Sequence, residues 1–285
     1  MNKYKKISRG LLAGFKKKYP SDITSYDLLK AFAVVTMIID HVGMYFFPDQ
    51  IIWRVIGRAS FPIWLFLVGY ARTRDISANL VFGAGLLVII NMIYGMSIFP
   101  LNILFSIILA RFVLDRLTWI TNKGFFALVS AIFVFSIWAM TTRPYLEYGT
   151  QCFVFALMGY YVRANQCNNE KGMSEAALFT FLMLCASLYI VIQQLTFGFS
   201  AYENTILFSF AGLVLGVCLV LLKFEPMVFP KLTRMLPQPF VFIVQLCGRH
   251  ALSVYIGHLI LFKTVVFFMM PEKYNWFEFS LFFKQ

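Results

Sequence analysis

Nine long apolar runs constrain this chain more than any other feature, at residues 28–47, 51–71, 78–97, 98–114, 124–140, 148–162, 174–196, 203–222 and 250–270. A helix that crosses a bilayer needs roughly 20 mostly apolar residues, whereas barrel strands are half as long and alternate in polarity. These runs are long and do not alternate. The chain is 60% hydrophobic and only 13% charged, against about 25% charged in an ordinary soluble domain. Its mean hydropathy is +0.75. The expected fold is all-α: a polytopic membrane helix bundle of about nine transmembrane helices. With no internal repeat, low-complexity linker or second soluble domain, residues 28–270 read as a single bundle.

The net charge of +12 does not point to nucleic acid, because the basic residues fall at the N-terminus and in alternate loops. Arg72 and Arg74, Arg116 and Lys123, Arg163 and Lys171, and Lys223, Lys231 and Arg234 occupy one set of connections. The intervening connections near Pro48, Pro100 and Phe199 are nearly free of positive charge, and the one near Pro144 has only Arg143. The positive-inside rule places the N-terminus in the cytoplasm and, with nine crossings, the tail of residues 271–285 outside. Pro237 to Cys247 is apolar but short, and reads as a re-entrant or interfacial piece; were it to span, the tail would return to the cytoplasm. Residues 1–27 carry Lys3, Lys5, Lys6, Arg9, Lys16, Lys17 and Lys18 beside Ile7, Leu11, Phe15 and Tyr19 at helical spacing. That pattern predicts a helix lying on anionic lipid.

The first apolar run exceeds a secretory h-region and no small-residue cleavage site follows it, so it is expected to stay as a signal anchor. Cys152, Cys167, Cys185, Cys218 and Cys247 have no paired spacing and read as core thiols. Glycine-rich phosphate loops, G-x-S-x-G, H-E-x-x-H and C-x-x-C are all missing from the sequence. Hydrolase, kinase and metalloenzyme readings have no support, and no metal is expected.

Ionisable groups within apolar segments are costly, about 2.5 to 3.5 kcal/mol each at a helix centre on insertion scales, and are functional candidates for that reason. The first run holds Asp40 and His41, the second Arg54 and Arg58, and the last His258, with Arg249 and His250 at its start. Adjacent residues on a helix point about 100° apart, so Asp40 and His41 cannot pair with each other, whereas Arg54 and Arg58 share a face. The short connection at Pro48 makes the first two segments antiparallel neighbours. An arginine of the second is the expected partner of Asp40, as a packing ion pair or as part of a site. A buried imidazole is a neutral base near pH 7, the state general-base chemistry needs. Pro62 removes the backbone donor that would bond the Arg58 carbonyl and is expected to break or kink the helix. Asn102, at the start of the fourth run, either caps that helix or donates to an oxyanion.

These residues belong to a wider pattern. Asp27-Leu-Leu-Lys30 leading to Met37-Ile-Ile-Asp40-His41, Gly57-Arg58-Ala-Ser-Phe61-Pro62, Asn102-Ile-Leu-Phe105, Tyr148-Gly149 and Tyr255-Ile-Gly-His258 follow one another along most of the chain. In these pieces and their order the chain resembles the TraX family, membrane proteins of conjugative pilus systems that N-acetylate pilin, akin to other multi-pass acyltransferases. The lysine-rich N-terminus, longer tail and aromatic character depart from the family and leave the acceptor open, a small membrane protein such as pilin or a surface glycan.

The resemblance implies a bacterial inner-membrane enzyme that transfers an acetyl group from acetyl-CoA to an amine or hydroxyl. In that scheme His41 is the base, with His258 competing for the role. Asp40 and Arg58 set the electrostatics, and Arg58 or Asn102 stabilises the oxyanion. Arg249, Arg111, Arg54 and Tyr255 are the expected cofactor-binding residues, with Arg72 and Arg74 as further candidates at a cytoplasm-facing mouth. Arg249 leads that group, because it is read as opening the last helix, whose N-terminus favours phosphate. Two other classes remain open: a proton-coupled transporter built on Asp40, His41 and Arg58, and a non-catalytic subunit of a membrane assembly.

Overall fold

The computed structural model describes residues 21–167, 173–199, 204–272 and 274–282, and within them the chain is all-helical. In order the helices are α1 (Ser25–Phe46), α2 (Ile51–Gly57), α3 (Ser60–Tyr70), α4 (Ala78–Ile93), α5 (Ile103–Thr121), α6 (Phe125–Thr142) and α7 (Gln151–Gln166). They continue with α8 (Glu175–Phe197), α9 (Asn204–Leu222), α10 (Pro230–Met235), α11 (Gln238–Arg249) and α12 (Ala251–Met269). The predicted surface helix falls at residues that lie mostly outside those described.

Each of the nine apolar runs contains a helix, but among the described residues only six segments are long and apolar enough to cross a membrane. They are α1, α2 with α3 taken together, α6, α8, α9 and α12. Length and apolarity thus do not confirm the expected count of about nine, for physical reasons. Helices α4 and α7 have only 16 residues each, about 24 Å of helix against a hydrocarbon core of about 30 Å. Helix α5 carries three charged residues, Arg111, Asp115 and Arg116. The segment after Pro237 forms α11, whose 12 residues reach about 18 Å and cannot span. Its Val241 and Val244 pack on Ile23 beside the start of α1.

Helix starts follow the sequence. Thr24 and Asp27 form a capping box at α1, and Ser77, Asn102 and Ser174 cap α4, α5 and α8 with their side chains. Such caps satisfy backbone donors that the first helical turn leaves free. The bundle closes on α7, in which Cys152 through Met158 are all buried. It packs on α3 along a seam of small residues, where a Cβ on Gly69 would overlap the Ala156 carbonyl and one on Gly159 the Phe66 carbonyl. Close backbone approach of this kind holds membrane helices together where no hydrophobic driving force exists between them. On the outside Phe126, Trp138, Phe208 and Phe268 are exposed, as lipid-facing side chains should be. The C-terminal tail folds back, with Ile98 and Phe99 N–H donating to the Ser280 and Leu281 carbonyls at 3.0 and 2.8 Å.

Candidate functional site

The site begins at the break between α2 and α3. Proline at position 62 has no N–H, so the Arg58 carbonyl loses its helical donor. The Tyr189 hydroxyl of α8 donates to that carbonyl instead, at 2.9 Å. The break leaves Arg58 buried against α1, where Arg58 Nη2 donates to Asp40 Oδ2 at 2.8 Å. Arg54 Nη1 donates to the same oxygen at 3.0 Å. One carboxylate therefore holds both arginines, as the shared helical face predicts. Gly57 permits the approach, because a Cβ there would overlap Asp40 Cβ. The guanidinium of Arg58 lies 5.1 Å from the Tyr148 ring centre and 4.9 Å from that of Phe197. Arg54 and Arg143 also face Phe197, at 5.3 and 5.2 Å. Cation–π contact in a dry setting spreads charge that one aspartate cannot balance alone.

Beside this cluster, His41 Nδ1 lies 2.8 Å from His258 Nε2. His258 Nδ1 lies 2.8 Å from the Val254 carbonyl. A carbonyl only accepts, so His258 Nδ1 carries the proton and its Nε2 accepts from His41 Nδ1–H. For two neutral rings this leaves the lone pair of His41 Nε2 as the basic atom of the pair. The two histidines that sequence reasoning set against each other are one unit.

A cavity of about 960 Å³ approaches the histidines from the end of the bundle where α1 starts and α3 and α11 end. Its mouth holds Asp27, Lys30, Arg72, Asp75, Arg111 and Arg249. Arg249 closes α11 and does not open α12, which begins at Ala251; it is paired with Asp27 at 3.3 Å. Arg111 Nη1 donates to the Asp75 carbonyl at 2.8 Å. Two buried donors on cavity-lining side chains, Trp64 Nε1–H and Arg111 Nε–H, have no acceptor among the described residues. Orphaned donors of this kind suit a ligand rich in acceptor oxygens.

Three other expected residues, Arg54, Arg74 and Asn102, lie elsewhere. Arg54 does not line the cavity and is bound to Asp40. Arg74 turns back to the α3 carbonyls, donating to Ala71 O at 2.7 Å, and pairs with exposed Asp115. Asn102 caps α5: its Oδ1 accepts from Leu104 N–H at 3.1 Å and its Nδ2 donates to the Ala84 carbonyl at 3.2 Å. Tyr255 is buried at the inner end of the cavity, its ring centre 6.2 Å from that of His41.

One residue went unnoticed in the sequence. Glu147 accepts from Ile103 N–H at 3.1 Å at the start of α5, and is close enough to Arg58, Asp40 and Arg54 to feel their charge. It sits in the α6–α7 connection, where burial pushes its carboxyl above the ordinary range against the opposing influence of Arg58. The signal was an acidic residue directly before Tyr148-Gly149, in a chain with only 13 of them.

The model of a family described as TraX protein matches residues 25–266. An uncharacterised protein of Rickettsia prowazekii (strain Madrid E) is 28% identical over 183 residues, 62% of this chain and 71% of its own. Protein TraX of Escherichia coli is 26% identical over 202 residues, 68% of this chain and 73% of its own. No solved structure matches the chain. Asp40, His41, Arg54, Arg58, Glu147, Tyr255 and His258 all lie inside the family match, and the chain belongs to the TraX family.

Proposed function

We propose that this protein is a membrane-embedded acyltransferase that moves an acetyl group from acetyl-CoA to an amine or hydroxyl acceptor. The observation that carries the reading is the bonded pair His41–His258, which leaves His41 Nε2 as a base behind a cavity with a basic mouth. The acceptor nitrogen or oxygen attacks the thioester carbonyl as His41 takes its proton, the C–S bond then breaks, and the departing thiolate takes that proton from His41 to leave as CoA. Lys30, Arg72, Arg111 and Arg249 suit the phosphates of the donor, and the free donors on Trp64 and Arg111 suit its acceptor atoms.

The positive-inside rule assigns the basic mouth to the cytoplasm, where acetyl-CoA resides. His41 stands fourteen residues along α1 from Asp27, about 20 Å deeper, so the acetyl group travels inward through the bundle. The acceptor then meets it from the far side of a bacterial inner membrane. A small membrane protein such as pilin fits an amine acceptor, and a surface glycan fits a hydroxyl one.

Thermal stability of the detergent-purified protein against increasing acetyl-CoA, beside plain CoA, tests the donor without a known acceptor. A ligand bound only by the folded state raises stability by mass action. A saturable shift with acetyl-CoA, both in wild type and in His41→Ala, is the expected result. No shift in folded wild-type protein would transfer the weight to a proton-coupled transporter or an assembly subunit.

A further inference from the structure

We infer that Tyr255, with Met37, is a wall that keeps the acyl donor away from the histidine pair until an acceptor is in place, an inference that rests on the acetyl-CoA reading of the cavity. Both residues line the inner end of the cavity, and both are buried. His41 follows Met37 by one turn of α1, and His258 follows Tyr255 by one turn of α12. Neither histidine lines the cavity. The Tyr255 ring centre is 6.2 Å from that of His41 and 5.8 Å from that of His258. The side chains that end the cavity are thus the ones standing directly in front of the base.

A wall in this position has a chemical purpose. A base beside a thioester activates water as readily as it activates an acceptor, and an active site that admits water loses its acyl group to hydrolysis. In that side reaction the water oxygen bonds to the thioester carbonyl and its proton passes to His41. The C–S bond then breaks, the departing thiolate takes the proton from His41, and the products are free CoA and acetic acid, which loses its remaining proton to water. Removing the wall joins the cavity to the histidines and opens this path.

The test measures free thiol released from acetyl-CoA by the full-length protein in detergent, with no acceptor added. Tyr255→Ala and Met37→Ala are each expected to raise release by about ten-fold or more over wild type, as water gains access. Adding His41→Gln abolishes the gain. Tyr255→Phe restores the ring and returns release to the wild-type background, which a loss of folding in Tyr255→Ala would not explain. Should Tyr255→Ala fail to fold, Met37→Ala removes the other half of the wall. Release at the wild-type level by a folded wall variant that is stabilised by acetyl-CoA would overturn the wall while leaving the donor reading intact. Absence of acetyl-CoA stabilisation in wild type would instead overturn the donor reading, and the wall with it.

Discussion

His41 Nδ1 stands 2.8 Å from His258 Nε2 although 217 residues separate them, and the bond from His258 Nδ1–H to the Val254 carbonyl fixes the direction of the pair. The proton chain runs from His41 through His258 to a backbone oxygen, which leaves the lone pair on His41 Nε2 and makes His258 the ring that orients His41.

The two histidines therefore differ in what they cost. His41→Gln is expected to lower acetyl transfer by about 10²- to 10⁴-fold, the usual worth of a general base. His258→Gln offers an amide carbonyl to the His41 Nδ1–H and should lose less, with acetyl-CoA stabilisation unchanged in both. Rates measured at saturating donor decide it, and a larger loss in His258→Gln would reverse the assignment.

Asp40 is the sole carboxylate bonded to Arg54 and Arg58 among the described residues. Asp40→Asn leaves two buried guanidiniums without a counter-ion and should cost about 3–5 kcal/mol of stability. Combining it with Arg54→Met should recover part of that loss. Thermal denaturation in detergent reads both, and additive losses would contradict a shared ion cluster.

The Tyr189 hydroxyl replaces the donor that Pro62 lacks. Tyr189→Phe strands a buried carbonyl and is expected to cost about 1–3 kcal/mol. In a Pro62→Ala background the backbone N–H returns, so the same change should cost less. The double-mutant cycle measures the difference, and a coupling near zero would mean that the hydroxyl does not act through the Arg58 carbonyl.

Glu147 gives a prediction about pH. Burial raises its carboxyl above the ordinary 4.5, so in the folded protein it holds its proton to higher pH than in the unfolded chain. The stability this confers is complete below about pH 4.5 and is lost as pH rises through the raised value. Glu147→Gln keeps the neutral shape and should flatten the fall in melting temperature from pH 4.5 upward. Identical slopes for wild type and variant would count against it.

Much of this was legible in the sequence because it is local. The apolar runs marked where helices form, the short Pro48 connection paired α1 with α2, and Pro62 announced the break at Arg58. Asn102 had two readings, and its bonds to Leu104 and Ala84 show the cap. What the sequence concealed is contact between distant helices. Nothing in the spacing of a helix bundle says that α12 lies against α1, so His41 and His258 read as rivals. The sequence places Arg249 on the last helix because the glycine beside the join, Gly248, lies inside α11, two residues before the helices meet at His250. Glu147 escaped notice because it lies between helices and not inside an apolar run.

The sequence distances within the site also divide its assembly in time. Asp40 and its arginines are at most 18 residues apart, so the membrane can receive them as one hairpin, with Asp40 already offsetting part of the arginine charge, while most of the chain is still on the ribosome. The partner of His41 arrives only with the last helix. A chain cut short before Ala251 keeps the Asp40 pairing that eases its entry into the bilayer, but lacks the ring that orients His41.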